Sequence, residues 1–195
     1  FLLIFSMFSV LFPGQGSQTL GMGKNLYDNF NYIRNLFNQA DDELNMSISK
    51  IIFEGPKELL DQTENTQPAI FLISFAIFSV IKNETSFNIN NANFFAGHSL
   101  GEYSALCASG VVSLRDTAIV LRKRGIAMQK AVPQGNGLMV AVLGLTSEVV
   151  NEFIIISKCD NHLIQVANDN DPSQVVISGE KKEVEKFSDF LSFKL

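Results

Sequence analysis

One short turn limits, more than any other feature, what this chain folds into. Residues 97–101 read Gly-His-Ser-Leu-Gly and lie between an apolar run at 93–96 and a helix-forming stretch at 102–109. A serine between glycines at a strand-to-helix turn predicts a nucleophile elbow, because the strained turn exposes the hydroxyl at the end of a sheet. Backbone N–H groups at the start of the helix then point toward any oxyanion that forms there. We therefore predict that Ser99 is a nucleophile; the alternative is a glycine-serine turn that only reverses the chain.

Composition excludes several other classes of protein. The 195 residues are enough for one domain or one and a half, and 46% hydrophobic residues against 18% charged ones predict a globular core. A net charge of −5 without a block of Lys or Arg argues against a nucleic-acid partner. Two cysteines without a C-x-x-C motif favour a reducing compartment, which we take as the cytoplasm or, alternatively, an organelle. Two histidines without paired ligand spacing argue against a metal site.

Two apolar stretches raise the question of a membrane segment. Residues 1–12 are strongly apolar, but they are too short to span a bilayer and lack a basic leading region and a cleavage site. We predict a buried strand at 8–12 and a true start at Met7, with residues 1–6 upstream of it. Residues 69–81 predict a buried helix that is also too short to span. No membrane partner is expected.

The first part of the chain alternates strands with helices. The strand at 8–12 leads into a glycine-rich loop at 13–18, and apolar residues at helical spacing predict one helix over 25–44. A short helix is predicted at 57–61. The Thr-Gln-Pro sequence at 66–68 predicts the start of a helix that runs over 69–82. A capping box at 113–116 predicts a helix that extends to about Ala131.

A Pro/Gly turn at 132–137 marks the internal boundary, and we assign residues 1–132 and 133–195 to two subdomains. After it, strands at 138–143, 163–167 and 174–178 alternate with helices at 146–156 and 180–193, and 168–173 is predicted as a turn. This β-α-β-β-α order is a ferredoxin-like unit without its last strand. The first part has only two confident strands, too few for a stable parallel sheet. Both parts therefore look incomplete at Leu195, and we expect a fragment of a longer protein or a truncated one.

The loop after the first strand is the first candidate partner of the serine. Because strand ends share one edge of a parallel α/β sheet, we expect Gln15 to lie beside the elbow. Its amide would then form an oxyanion site with the Leu100 N–H. The loop has no G-K-[ST] sequence, which argues against a nucleotide P-loop, and a plain tight turn is the alternative.

Arg124 is the second candidate partner, because arginine grips a carboxylate with two parallel hydrogen bonds. The alternative is that Arg122, Lys123 and Arg124 are all solvated cations on a helix face, and spacing alone favours that alternative. A nucleophilic serine also needs a base. His98 is a poor candidate because neighbouring residues at a sharp turn point apart, and His162 is predicted on a surface turn.

Six motifs in the same order resemble one family, and together they are far more specific than any one alone. The matching segments are 12–18 (FPGQGSQ), 66–69 (TQPA), 97–103 (GHSLGEY), 122–125 (RKRG), 131–133 with 137–139 (AVP, GLM) and 172–179 (PSQVVISG). The chain from about Phe8 to its end resembles the malonyl-CoA:acyl-carrier-protein transacylases.

The resemblance implies an α/β fold, with an α/β-hydrolase-like large subdomain and an inserted ferredoxin-like small one. It implies that Ser99 takes a malonyl group from malonyl-CoA, a substrate rather than a cofactor, and passes it to the phosphopantetheine thiol of an acyl carrier protein. By matching position, Gln15 and the Leu100 N–H form the oxyanion site, Arg124 pairs with the malonyl carboxylate, and Asn168 lines the pocket.

The chain departs from the family pattern at the general base. The family's catalytic histidine belongs to a motif beyond the small subdomain, and neither His98 nor His162 matches it. The resemblance therefore implies weak turnover or none for this chain. Three alternatives stay open: an acyltransferase domain of a polyketide or fatty-acid synthase, a serine hydrolase with water as acceptor, and a non-catalytic remnant that binds CoA or carrier protein.

Overall fold

The computed structural model describes residues 7–132 and 135–194. Residues 1–6, predicted to precede the true start, and the Pro133-Gln134 part of the predicted boundary turn lie outside the described residues. The chain divides into two compact units, Phe1–Gln129 and Lys130–Leu195, and each is described by itself. The assignment of subdomains to 1–132 and 133–195 stays a prediction.

Unit 1 is a small parallel sheet surrounded by helices. Its two strands pair in parallel, with Phe12 opposite Gly97, so that both strands end at the same edge. The elements of unit 1 are β1 (Ser9–Phe12), α1 (Lys24–Asn29), α2 (Asn31–Leu44), α3 (Ile48–Glu54), α4 (Lys57–Leu60), α5 (Thr63–Glu84), a 3-10 turn (Ile89–Asn91), β2 (Phe94–Gly97), α6 (Leu100–Ala108) and α7 (Leu114–Ala131).

The single helix predicted over 25–44 is wrong, because the chain breaks it at Phe30. This residue is extended, with φ −123° and ψ 112°, and separates α1 from α2. Asparagines stand on both sides of it, and asparagine side chains compete for backbone hydrogen bonds. The Asn29 amide donates to the carbonyl oxygen of Asn25 at 2.7 Å.

The predicted start of α5 at residues 66–68 is also wrong. The helix begins at Thr63 and carries Pro68 as its sixth residue. Thr66 does not cap it; its hydroxyl instead donates to the Leu60 carbonyl oxygen at 2.6 Å. Burial of every residue from 65 to 72 holds the proline inside the helix, since tertiary packing overrides a local breaker.

The greater length of α5 also corrects the expectation that this apolar stretch is too short to span a membrane. Among the described residues, α5 is the one helix whose length and composition would allow it to cross a bilayer. Two thirds of its apolar window, 67%, is buried inside the protein, as in the core helix of a globular domain. It packs at the centre of the largest apolar cluster, whose fully buried side chains include Ile33, Phe37, Phe71, Leu72 and Leu121.

Unit 2 is a three-stranded antiparallel sheet with two helices. Its elements are β3 (Gly137–Leu143), α8 (Ser147–Ile156), β4 (Ile164–Asp171), β5 (Gln174–Glu180) and α9 (Lys181–Lys194). The strand order is β3-β5-β4, and a separate core contains Val150, Val175, Ile177 and Phe187. The predicted element order is confirmed, as is the cap at Thr146, whose hydroxyl accepts from the Val149 N–H at 3.5 Å.

The turn predicted over 168–173 is shorter in unit 2 and covers only residues 172–173. Strand β4 continues to Asp171, and Asn168 pairs with Val176 of β5. Register shifts between Val166 and Asn168 and between Asp169 and Asp171 let polar residues stay in the strand, since a bulge absorbs one extra residue.

Candidate active site

Ser99 lies in a strained turn between β2 and α6. Its backbone has φ 55° and ψ −109°, a conformation that costs a side-chain-bearing residue about 1–3 kcal/mol. The serine precedes the first residue of α6 but makes no side-chain cap to the helix. The predicted strand, turn and helix are therefore confirmed, and the hydroxyl is left for contacts outside its own helix.

Two glycines let the three elements around Ser99 come together. A Cβ added to Gly97 would lie 2.0 Å from the carbonyl carbon of Gly101. One added to Gly101 would lie 2.4 Å from the carbonyl oxygen of Phe12, at the end of β1. The His98 N–H donates to the same Phe12 oxygen at 3.1 Å. Only glycine fits at 97 and 101, because each additional side-chain atom would meet backbone.

The predicted oxyanion donors are placed in part. Leu100 is the first residue of α6, so that its N–H has no acceptor within the helix. The loop at 13–18 lies against the elbow, since a Cβ added to Gly14 would come within 2.5 Å of His98 Nδ1. The Gln15 amide, however, donates to Thr63 Oγ1 at 3.4 Å, at the start of α5. Its role toward an oxyanion stays a prediction.

The far end of this loop is tied to α4. The Gln18 amide donates to Asp61 Oδ1 at 3.0 Å, and Lys57 pairs with the same carboxylate. These hydrogen bonds, from Lys57 first and then Gln18, hold the pKa of Asp61 below its usual value. The loop is thus fastened at a point away from the elbow.

Arg124 reaches the serine directly. Its Nη2 donates to Ser99 Oγ at 2.9 Å, and its Nη1 donates to Gln67 Oε1 at 2.6 Å. The guanidinium carbon lies 5.8 Å from the ring centre of Tyr103, within the range of a cation–π contact. The alternative that all three cations are solvated is therefore wrong for Arg124, whereas Lys123 is exposed as that alternative expected.

Arg122 belongs to a neighbouring network that fixes how α7 crosses α5. Its guanidinium donates to Glu64 Oε1 at 3.1 Å and to the side-chain oxygen of Asn65. Close to this pair, a Cβ added to Gly125 would lie 2.5 Å from Glu64 Cα. The close backbone approach at Gly125 brings the two helices together where Arg124 meets Gln67.

Sequence reasoning missed Gln67 as a functional residue. Its side chain is 1% exposed, and its amide nitrogen lies 3.2 Å from Met128 Sδ. The sequence analysis used residues 66–68 only as a helix start and as part of the family pattern. Gln67 could have been noticed as a polar side chain near the start of a strongly apolar helix. Buried side-chain amides are hydrogen-bonded, so a glutamine in that position indicates a partner.

The remaining sequence candidates are the two histidines and Asn168. The His98 imidazole lies against Gly14, and His162 is exposed in unit 2. Asn168 lies in β4 of unit 2, and its predicted place in a pocket stays a prediction. Within residues 7–132 and 135–194, no group of three or more His, Cys, Asp or Glu is arranged to hold a metal ion.

An open apolar cleft of about 360 Å³ lies along β1 and α5. Its walls include Leu11, Pro13, Ile73 and Ile77, and Ser99 is not among them. Since few polar groups converge there, we assign the chemistry to the elbow and not to the cleft.

Comparison with known proteins gives concordant matches. The sequence pattern of the family described as "Acyl transferase domain" matches residues 9–193. The malonyl CoA-acyl carrier protein transacylase of Bacillus subtilis is 44% identical over 184 residues, which cover 94% of this chain and 57% of that protein. The chain thus spans a little over half the length of the curated relatives it matches.

Solved structures agree with the sequence matches. An acyl-carrier-protein S-malonyltransferase from Bartonella henselae has 48% identity and a TM-score of 0.88, over 96% of this chain and 60% of that one. A malonyl-transacylase solved in complex with a type II polyketide acyl-carrier protein has 38% identity and a TM-score of 0.85, over 94% of this chain and 58% of that one. These likenesses confirm a mixed α/β fold.

Proposed function

Given that the chain belongs to the family of acyl transferase domains, we propose that it serves the transfer of a malonyl group from CoA to an acyl carrier protein. The observation that carries this proposal is the hydrogen bond from Arg124 to Ser99. A guanidinium, the kind of group that binds a carboxylate, thus stands directly beside the predicted nucleophile. Neither a plain glycine-serine turn nor a general esterase needs a cation at that point.

The position of Arg124 favours a short acyl group that carries a carboxylate. Its Nη2 lies 2.9 Å from Ser99 Oγ, so a carboxylate held there stands close to the carbon that Oγ attacks. Malonyl has a single methylene between the thioester carbonyl and the carboxylate, which suits this separation. The planar fork of arginine suits a carboxylate better than lysine would.

The proposed exchange has two steps of the same kind. Ser99 Oγ attacks the thioester carbonyl carbon, the C–S bond breaks, and the CoA thiol leaves with the proton of the serine hydroxyl. The phosphopantetheine thiol of the carrier protein then attacks the malonyl ester, and Ser99 regains its proton. The Leu100 N–H and the Gln15 amide would stabilise the oxyanion of each tetrahedral intermediate.

The proposal includes slow turnover by this chain alone. Neither His98, whose imidazole lies against Gly14, nor His162 matches the position of the family's catalytic histidine. By the family resemblance, the base comes from a part of the relatives that this chain does not span. We also propose the hydrolase-like description for unit 1, the ferredoxin-like description for unit 2, and a cytoplasmic location.

Acyl-enzyme formation tests the proposal. The chain is incubated with malonyl-CoA, and intact-mass and peptide mass spectrometry follow the adduct. We expect a slow malonyl adduct on Ser99 that is absent in Ser99→Ala. A native, folded chain without the adduct would contradict the proposal and favour the alternative of a non-catalytic remnant that binds CoA or carrier protein.

The role of an acyl carrier protein as acceptor is tested on the chain that already carries the malonyl adduct. Adding a phosphopantetheinylated carrier protein from fatty-acid or polyketide synthesis should discharge the adduct faster than buffer does. Loss of the malonyl adduct at the same rate in buffer would indicate a hydrolase. Turnover at the rate of an ordinary transacylase would contradict the proposal that this chain turns over slowly for lack of a general base.

A further inference from the structure

Ser99 accepts a hydrogen bond from a cation. Nη2 of Arg124 donates to Ser99 Oγ at 2.9 Å, while Nη1 is held by Gln67 Oε1 at 2.6 Å. Gln67 is 1% exposed and belongs to the core helix α5, so its end of this chain of contacts is fixed. The hydroxyl at the other end lies on the strained elbow.

The contact with Arg124 makes the serine oxygen a weaker nucleophile. The N–H of a guanidinium draws electron density from Oγ and occupies one of its two lone pairs. Attack on a carbonyl carbon needs a lone pair directed at that carbon. Ser99 therefore has to lose this hydrogen bond, or weaken it, to reach full reactivity.

A carboxylate can take the place of the serine on Arg124. A carboxylate brings a negative charge and two acceptor oxygens to the guanidinium, whereas the serine hydroxyl offers one neutral oxygen, so the pair of arginine with carboxylate is the stronger one. The carboxylate of a malonyl thioester would therefore displace Ser99 Oγ from Nη2, while Gln67 keeps Nη1 and the guanidinium turns about that point. A thioester without a carboxylate offers no acceptor of this strength.

We propose that Arg124 restrains Ser99 until a substrate carboxylate removes it, so that the same side chain attracts carboxylated acyl groups and withholds the nucleophile from neutral ones. The inference rests on the proposed function. It adds a lower reactivity of Ser99 toward neutral acyl groups to the binding of carboxylated ones by Arg124. Specific sites combine both elements.

A neutral phosphonofluoridate tests the restraint without involving carboxylate binding. In this reaction Ser99 Oγ forms a bond to phosphorus, fluoride leaves, and buffer takes the hydroxyl proton. We expect Arg124→Gln to be labelled at Ser99 about tenfold faster than the native chain, a factor that corresponds to about 1.4 kcal/mol in the activation barrier. Arg124→Met gives the same comparison without a new hydrogen-bonding side chain.

The matched control is Lys123→Gln, which removes the same charge from the exposed neighbour on α7 and should be labelled at the native rate. Thermal unfolding by circular dichroism selects variants that stay folded. Native or slower labelling of Arg124→Gln and Arg124→Met would overturn the restraint, and slower labelling would make Arg124 an activator.

The two proposals fail in different ways. Malonyl-CoA acylation of the native chain, with no acceleration of phosphonofluoridate labelling in the arginine variants, would leave the proposed function standing and remove the restraint. Absence of label on Ser99 in every folded variant would overturn both, because each needs a nucleophilic serine.

Discussion

At the scale of single residues, the position of Ser99 depends on contacts with residues far from it in the sequence as well as on its neighbours. Gly97 and Gly101 bring backbone to within contact of the elbow, and Gln67 holds the arginine that contacts the serine. Arg124 is thereby held beside the hydroxyl, with Nη1 on Gln67 and Nη2 on Ser99.

Replacing Gln67 tests its role as a positioning residue. Gln67→Leu removes the acceptor for Arg124 Nη1 at similar volume, and loss of a hydrogen bond to a charged group costs about 1.5–3 kcal/mol. We expect malonyl-CoA acylation of Ser99 to slow about tenfold to a hundredfold. Gln67→Glu, which keeps an acceptor, should recover most of that rate.

Gln62→Leu is the control for this prediction, because it makes the same change at an exposed position just before α5. Native acylation by Gln67→Leu, or equal loss in Gln67→Leu and Gln67→Glu, would show that Gln67 only fills space.

Gly101→Ala tests the close approach of α6 to β1. The added Cβ would lie 2.4 Å from the Phe12 carbonyl oxygen and 2.8 Å from that of Pro13. Because backbone has to move, we expect the free energy of unfolding to fall by about 1–3 kcal/mol, and phosphonofluoridate labelling of Ser99 to be lost. Leu106→Ala, on the exposed side of the same helix, should keep the labelling, and a native rate in Gly101→Ala would refute the argument.

At the scale of elements, α5, α6 and α7 assemble the candidate site. Helix α5 presents Gln67, α6 begins directly after Ser99, and α7 carries Arg124. The crossing of α7 over α5 is close because Gly125 has no side chain, and the pair of Arg122 with Glu64 fixes its register. The site is thus built on packed helices rather than on mobile loops.

Helix α6 also carries a polar group that the packing does not satisfy. Ser104 is 0% exposed, and its hydroxyl has no hydrogen-bond partner among the described residues. A buried hydroxyl without a partner is destabilising, and alanine is a better helix former than serine.

Ser104→Ala should therefore raise the free energy of unfolding by about 1 kcal/mol in chemical denaturation. The control is Ser109→Ala at the exposed end of α6, where the change should stay within about 0.5 kcal/mol. A less stable Ser104→Ala chain would mean that the hydroxyl has a partner in solution.

At the scale of the whole molecule, the chain holds two units with separate cores. The main core of unit 1 surrounds α5, whereas the core of unit 2 lies between its antiparallel sheet and α8 and α9. The elbow, the arginine and the buried glutamine all belong to unit 1. The stability of unit 1 is therefore what the candidate chemistry depends on most directly.

Alkaline pH should weaken the fold through Cys107 of unit 1. Burial raises the pKa of this thiol from 9.0 to about 11. As pH rises through this range the unfolded chain loses the thiol proton first, so that folding is disfavoured. The contribution is fully present below about pH 9 and is lost toward pH 11.

Unfolding of the native chain and of Cys107→Ala, followed from pH 8 to pH 10.5, measures this dependence. We expect the free energy of unfolding to fall more steeply with pH in the native chain, because only that chain carries the titrating thiol. Parallel curves for the two chains would contradict the assignment.

Much of the local structure could be predicted because its causes are local. The elbow, the capping box before α7 and the cap at Thr146 each depend on residues within a few positions of one another. The predictions at Thr66 and Asn168 failed because packing or strand pairing overrides local preference, whereas the helix breaks at Phe30 between asparagines that compete for backbone hydrogen bonds. No periodicity in a single helix reveals such long-range contacts.

By itself the sequence determined the order of the elements in unit 2, the elbow around Ser99 and the family, since glycine, proline and apolar spacing act on the neighbouring chain. Only the tertiary structure decided that Arg124 rather than Lys123 reaches the serine, and that Gln67 holds it. Those contacts join residues 25 and 57 positions apart. They depend on how α7 crosses α5, which is set by the space that Gly125 leaves and by burial of the core helix.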